Sequence, residues 1–332
     1  MVLKRVIPTL TVSAACALGA VPVASARAAD VSQASSSNWS GYVVGDGASD
    51  GSSGHFKSVT GSWVQPTAKC SAASGQTFAA FWVGLGGASS SGKLEQDGTE
   101  ANCSANGTAS YYAWYELVPS APVKVDLAVH PGDSMTATTT VDGDQTTFSI
   151  VNHTTGQSFE KTIAFANPDL SSAEWIAEAP SACGGSVGNC SPLPLSDFGS
   201  AKFTSASATD TAGHTGTISD GDWQTSAVSL SPEASGEFAN AILTSGGGAT
   251  PSALSSDGSS FSVAYDGETQ QPATSTGTGG WGSSTGSTGT GGWGGSTGTG
   301  STGTGGWGDP YGDGGYAYVY PTSGGWVIVY PY

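Results

Sequence analysis

The sequence predicts an all-β protein, and three observations carry that expectation. Between Val31 and Asp266 the chain is a succession of short runs rich in Val, Thr, Ser, Phe, Trp and Tyr, each ended by Gly, Asn, Asp or Pro. No stretch of that interval keeps a long helical period of apolar residues. The interval also has the length of one sandwich domain. Together they describe an antiparallel β-sandwich of two sheets, jelly-roll-like, over residues 30–270.

Taken in order, the chain opens with Lys4 and Arg5, an apolar run over 6–23, and small residues over 24–29. That order of a basic end, an apolar middle and small residues is a secretory signal peptide, residues 1–29, cut between Ala26 and Asp30. Pro8 and Pro22 interrupt the run and polar sequence follows, so a retained membrane helix is the weaker reading. A secreted, extracellular protein that is not held in a membrane is expected.

Removing the signal also removes Lys4, Arg5 and Arg27. Six lysines and no arginine then face 26 carboxylates, a net charge of about −20. Nucleic acid and anionic membranes are poor partners for such a surface. In acid only six lysines, four histidines and the N-terminus stay charged, so the positive self-repulsion that aids acid unfolding is small. Acid tolerance is the expectation.

Strand runs follow at 41–44, 58–64, 123–129, 135–141, 146–152, 158–165, 201–206 and 261–265. The best short helix candidate is 169–173, and 233–241 is ambiguous. The richest stretch is 78–119, FAAFWVGLGGASSSGKLEQDGTEANCSANGTASYYAWYELVP, which holds runs at 78–84, 93–100 and 110–117 separated by turn-forming clusters. Residues two apart on a strand share a face, so Tyr112, Trp114 and Glu116 line one side, Trp82 goes with Gly84, and Leu94 with Gln96. A face that shows Trp, Gln and Glu together suits the floor of a cleft better than a core.

Cys16 leaves with the signal, and four cysteines in an exported chain suggest two disulfides. The GGSVGN gap suits a stapled hairpin between Cys183 and Cys190, which leaves Cys70 with Cys103. A zinc site fits poorly, because no pair has metal-ligand spacing and no histidine lies beside one. Just before that hairpin, AEWIAE at 173–178 alternates Glu174, Ile176 and Glu178 on one face against Trp175 and Ala177 on the other. A glutamate in a Trp-lined cleft is pushed toward its neutral form and holds a proton in acid. An edge-strand surface charge is the plain alternative.

After residue 270 the composition changes. TGTGGWG occurs three times, at 276–282, 288–294 and 302–308, within a Gly/Ser/Thr/Trp linker at 271–310. An aromatic-rich tail over 311–332 follows, with Tyr316, Tyr318, Tyr320, Trp326 and Tyr330. It suits either contact with a glycan or cell wall or added strands. GTGGWG at 277–282, GSSTG at 282–286 and GGSTG at 294–298 match nucleotide-binding and hydrolase motifs but lie in the linker without strand, turn and helix around them. His55, His130, His153 and His214 are scattered, and no HExxH or Asp-Thr-Gly occurs.

SSNWSGYVV at 36–44, GSWVQPT at 61–67, FWVGLGG at 81–87, LEQDGTE at 94–100, YYAWYELVP at 111–119 and AEWIAE at 173–178 occur in this order. In that combination the chain resembles the glutamic peptidases, or eqolisins, over about residues 35–266. The resemblance implies an acid-acting endopeptidase of protein or peptide substrates; a monomer without metal or cofactor is expected. It places the catalytic glutamine on Gln96 and the catalytic glutamate on Glu178. Trp39, Trp82, Trp114 and Glu116 match residues that line the family's cleft, and Glu100 stands where an aspartate is common. Gly86 also stands where the family often has an aspartate, and Val118 where it has an aromatic. Two alternatives remain open at this level: a glycoside hydrolase using Glu116 and Glu178, and a glycan-binding module using the tryptophans alone.

Overall fold

The computed structural model describes residues 30–46, 56–88, 91–183, 190–231, 247–267, 318–322 and 325–329. Its strands, in chain order, are β1 (Val31–Ser36), β2 (Trp39–Asp46), β3 (Phe56–Val64), β4 (Ala80–Gly86), β5 (Leu94–Cys103), β6 (Ala109–Val118) and β7 (Val123–Lys124). Next come β8 (Ser134–Asp142), β9 (Gln145–Asn152), β10 (Gln157–Ala164), β11 (Ser172–Glu178), β12 (Ser181–Cys183) and β13 (Cys190–Pro192). The last are β14 (Ser200–Asp210), β15 (Thr215–Thr217), β16 (Trp223–Leu230), β17 (Gly248–Pro251), β18 (Phe261–Gly267), β19 (Tyr318–Thr322) and β20 (Gly325–Val329). Among the described residues the only helical piece is a 3-10 turn at Ala72–Ser74.

Hydrogen bonding runs without a break along β10-β9-β8-β3-β14-β18-β17-β16-β2-β11-β4-β5-β6-β7. The two expected sheets are therefore two halves of one sheet folded over, and β17 joins them by pairing β18 along its length and β16 only at Leu230 and Ala249. Pairing along this path is antiparallel; β1 adds to β16 in parallel.

The core lies between the halves because each strand spends alternate residues on it. Phe81, Val83 and Trp175 from one half and Trp63, Phe148, Ile150 and Phe203 from the other are at most 2% exposed. Rings meet across the gap: Tyr115 stacks on Phe148 at 5.0 Å, and Tyr42 meets the face of Phe261 edge-on at 4.7 Å. Polar groups that cannot avoid this layer are paired across it. Trp175 Nε1 donates to the Thr60 carbonyl, Trp63 Nε1 to Thr99 Oγ1, and the fully buried Asp97 accepts from Thr139 Oγ1 and the Ser149 amide.

The outer face of the β3-β8-β9 half carries hydroxyls in place of charge. Ser58 pairs with Thr140, Thr60 with Thr138, Ser62 with Thr136 and Thr147 with Thr162, all at 2.7–2.9 Å. Such cross-strand pairs each contribute about 0.2–1 kcal/mol, and they need no ionised group.

Two sequence expectations change. Segment 169–173 is not helical: Asp169 Oδ1 accepts from the amide and hydroxyl of Ser171, and from Ser172 onward the chain is claimed by β2 on one side and β4 on the other. Tertiary pairing overrides a helix-start pattern that local sequence alone favours. Of 123–129 only Val123–Lys124 is a strand, although Val125, Leu127 and Val129 still alternate into the core. Segment 233–241 lies outside the described residues, as do 1–29 and most of the linker and tail; β19 and β20 pair with each other antiparallel.

The disulfide Cys70–Cys103 is present. Cys183 stands opposite Cys190 in the register of β12 and β13; the side chains of both, and with them the expected second disulfide, lie outside what the structure describes.

Candidate active site

Five adjacent strands, β2, β11, β4, β5 and β6, turn one face away from the core, and every sequence-predicted cleft residue lies on it. Register sets them in rows. Trp39, Glu178, Ala80, Glu100 and Tyr112 follow one another across the strands, and Ile176, Trp82, Gly98 and Trp114 form the next row. Glu174, Gly84, Gln96 and Glu116 form the third. The floor is apolar: Trp39, Val43, Trp82, Leu94, Trp114 and Ile176 pack as a cluster separate from the main core.

Gly98 makes the middle row possible. A Cβ there would lie 2.2 Å from the Phe81 carbonyl oxygen and 2.6 Å from Trp82 Cβ, so only glycine lets Trp82 and Trp114 flank this spot.

The two glutamates of AEWIAE have different fates. Glu174 is fully buried, and neither carboxylate oxygen has a hydrogen-bond partner among the described residues. Glu178, at the open end of β11, is only partly buried and both oxygens are held. Asn38 Nδ2 donates to Oε1 at 2.9 Å, and Trp82 Nε1 donates to Oε2 at 2.7 Å. Trp39 packs on the Trp82 ring edge-on at 5.1 Å.

Gln96 Nε2 donates to Glu116 Oε2 at 2.6 Å. Its Oε1 and the indole Nε1 of Trp114 are buried with no protein partner among the described residues. One acceptor and one donor thus face the cleft unused, beside the second N–H of the Gln96 amide.

The family model of the Peptidase A4 family matches residues 37–235. The chain belongs to the Peptidase A4 family.

As an A4 peptidase it is a hydrolase of peptide bonds, of glutamic type. That removes the glycosidase and glycan-module alternatives for this domain. Its fold is similar to that of scytalido-glutamic peptidase bound to a transition-state analog inhibitor, with TM-score 0.53 and 22% identity over 69% of this chain and 98% of that one. SCP-B, described as a member of the eqolisin family and complexed with the tripeptide Ala-Ile-His, gives 0.45 and 23% over 69% and 98%. Aspergilloglutamic peptidase from Aspergillus niger gives 0.45 and 28% over 57% and 99%. No curated protein matches.

In the A4 site, three carboxyls share a poorly solvated space. Burial pushes Glu178 up to about 8, and the nearby charge of Glu116 adds to the rise; the bonds from Trp82 and Asn38 oppose it. Burial pushes Glu116 up to about 7 against the pull of Gln96, with Glu100 repelling it. Glu100, itself bonded by Asn102 and Tyr112, is also pushed by burial to about 7. Groups coupled in this way lose protons in steps that belong to the set.

Sequence reasoning missed two residues here. Asn38 is one; its trace is the SSNWSG string that opens the family motifs. Asp169 is the other. Gly86 has φ +81°, and a Cβ on it would meet Asp169 Cβ at 2.6 Å, so Asp169 fills the space where a side chain at 86 would project. Ser91 Oγ donates to its carboxylate. Its place beside the motif residues follows from the loop between β10 and β11 and has no local signal.

Proposed function

We propose that this A4 peptidase is a secreted, acid-acting endopeptidase in which Glu178 moves the proton of a water nucleophile and Gln96 steadies the developing oxyanion. The observation that carries the reading is the contrast within one motif. Glu174 is sealed off, while Glu178 opens on the cleft with both oxygens fixed by neutral N–H donors.

Glu178 as carboxylate takes a proton from water as the water oxygen attacks the scissile carbonyl carbon. The carbonyl electrons move onto its oxygen, which accepts the free N–H of Gln96. Protonated Glu178 then gives its proton to the departing amine as the C–N bond breaks and the carbonyl re-forms. One carboxyl serves as base and then acid, and no covalent acyl-enzyme arises. A raised pKa strengthens the base while reducing its population, so the set must lose one proton before turnover and retain others. Hydrolysis should rise as the coupled set loses its first proton, with Glu178 as the ionised member, and fall as pH passes about 7, where Glu100 and Glu116 ionise as well. Export is supported by the 1–29 pattern of basic, apolar and small residues.

The test is hydrolysis of a denatured protein from about pH 2 to 8, a span chosen to cover carboxyl titration. Glu178→Gln should lose about 10²- to 10⁴-fold, the contribution of a positioned acid-base group. Gln96→Ala should lose about 10²- to 10³-fold, the contribution of one oxyanion donor. Retention of substantial activity by folded Glu178→Gln would refute the assignment.

A further inference from the structure

Asn38 belongs to the short link between β1 and β2, and 140 positions separate it from the carboxylate it touches. Its amide is itself held in one orientation. The Ser36 hydroxyl accepts from the backbone amides of Asn38, at 3.3 Å, and Trp39, at 3.1 Å. Its single proton is then left for Asn38 Oδ1, at 3.1 Å. With Oδ1 committed to Ser36, only the Nδ2 end can face Glu178. Ser36 is in turn fixed by the docking of the N-terminal strand: it pairs with Leu230 in the parallel β1–β16 register, and its carbonyl accepts from the Ser231 amide at 2.9 Å. The Asn38 carbonyl takes the amide of Ala179, the residue after Glu178, at 2.8 Å.

We infer that Asn38 is a positioning residue for the Glu178 carboxylate and that Ser36 sets its amide, which makes the docked N-terminal strand part of the active site. The inference rests on the reading of Glu178 as the proton carrier. A carboxylate held at one oxygen swings about that contact; Asn38 on Oε1 and Trp82 on Oε2 fix its plane against the substrate carbonyl. The other titratable group facing Glu178 is the carboxyl of Glu116 on β6, which Glu100 on β5 repels in turn, whereas β2 and β4 present the uncharged rings of Trp39 and Trp82.

The test compares wild type, Asn38→Ala, Ser36→Ala and Ser36→Thr by steady-state kinetics across pH and by NMR titration of the Trp82 indole N–H, which reports Glu178 directly. Asn38→Ala should lower kcat about 10- to 100-fold, as for one hydrogen bond to a charged group, with KM nearly unchanged. Losing a donor to the carboxylate disfavours its charged form, so the acid limb of kcat and the Trp82 titration midpoint should both move to higher pH. Ser36→Ala should shift both in the same direction by less, and Ser36→Thr, which keeps the hydroxyl, should restore them. Should Asn38→Ala fail to fold, the serine pair still decides. Folded Asn38→Ala and Ser36→Ala with wild-type kcat and an unmoved midpoint would overturn the inference. A wild type that hydrolyses nothing while the midpoint still shifts supports the coupling and rejects the catalytic assignment of Glu178 instead.

Discussion

Trp82 shows at the scale of one residue how the site is made from ordinary parts. Its ring is fully buried and lines the cleft floor, while its Nε1 pins Glu178. Trp82→Phe keeps most of the apolar area and removes the donor, so its effects separate packing from electrostatics. Glu178 should be pushed higher, the acid limb of kcat should move to higher pH, and kcat should fall about tenfold or more, by the worth of one charge-assisted bond. A pH-rate profile identical to wild type would mean the indole serves packing alone. Which residues share a face within each strand, such as Trp114 with Glu116 or Glu174 with Glu178, was legible in the sequence because alternation has a period of two, while the family motifs singled out Gln96 and Glu178. Asn38 was not legible, since its function depends on a contact that only the fold makes. For the same reason the choice between Glu174 and Glu178 rested on the family motif. Alternation puts both on one face, and burial, which separates them, is a property of the assembled sheet.

At the scale of elements, β5 is the strand on which the cleft depends, because it supplies Gln96, Gly98 and Glu100 in three successive rows. Gly98→Ala tests whether its backbone must approach β4 so closely. A methyl 2.2 Å from the Phe81 carbonyl oxygen cannot be met by turning a side chain, so the strands must part. Overpacking of this kind costs about 1–3 kcal/mol. A lowered Tm with a larger loss in kcat is expected, since Trp82 and Trp114 flank that position; wild-type stability and activity would show that the strands yield freely. The positions of β3 to β6, β8 to β11, β14 and β18 were readable from their alternation and turn residues. Their partners were not, because pairing joins distant segments: β3 lies between β8 and β14, and β11 between β2 and β4. The parallel addition of β1 and the irregular path of Val125 to Val129 leave no mark in local pattern either.

For the whole molecule, charge decides where in pH the fold is at home. The sequence alone shows an acidic chain with few cations, which limits self-repulsion in acid. The structure adds buried carboxyls. Glu95 is pushed up to about 8 by burial, Glu100 and Glu116 to about 7 and Glu178 to about 8, while burial also raises Asp97 and Glu174. A glutamate in the unfolded chain titrates near 4.5, so between about 4.5 and 8 the folded state holds protons that the unfolded state has released. Stability from these groups is fully present below pH 4.5 and is lost as pH rises toward 8. Asp257 works in the opposite sense. Hydrogen bonds from Ser255 and Ser259 hold it down to about 2, so its contribution is lost only as pH falls toward that value. Thermal unfolding followed from pH 3 to 8 should therefore give the highest Tm on the acid side and a fall of more than about 5 °C by neutral pH, at about 2–4 °C per kcal/mol for a domain of this size. Glu174→Gln isolates the cause. Among the described residues the carboxyl oxygens of Glu174 have no partner within hydrogen-bond distance, so an amide in their place resembles the protonated acid. Its Tm should match wild type near pH 4 and exceed it at pH 7 to 8. A Tm that stays level or climbs from pH 4 to 8 would show that these carboxyls ionise without cost.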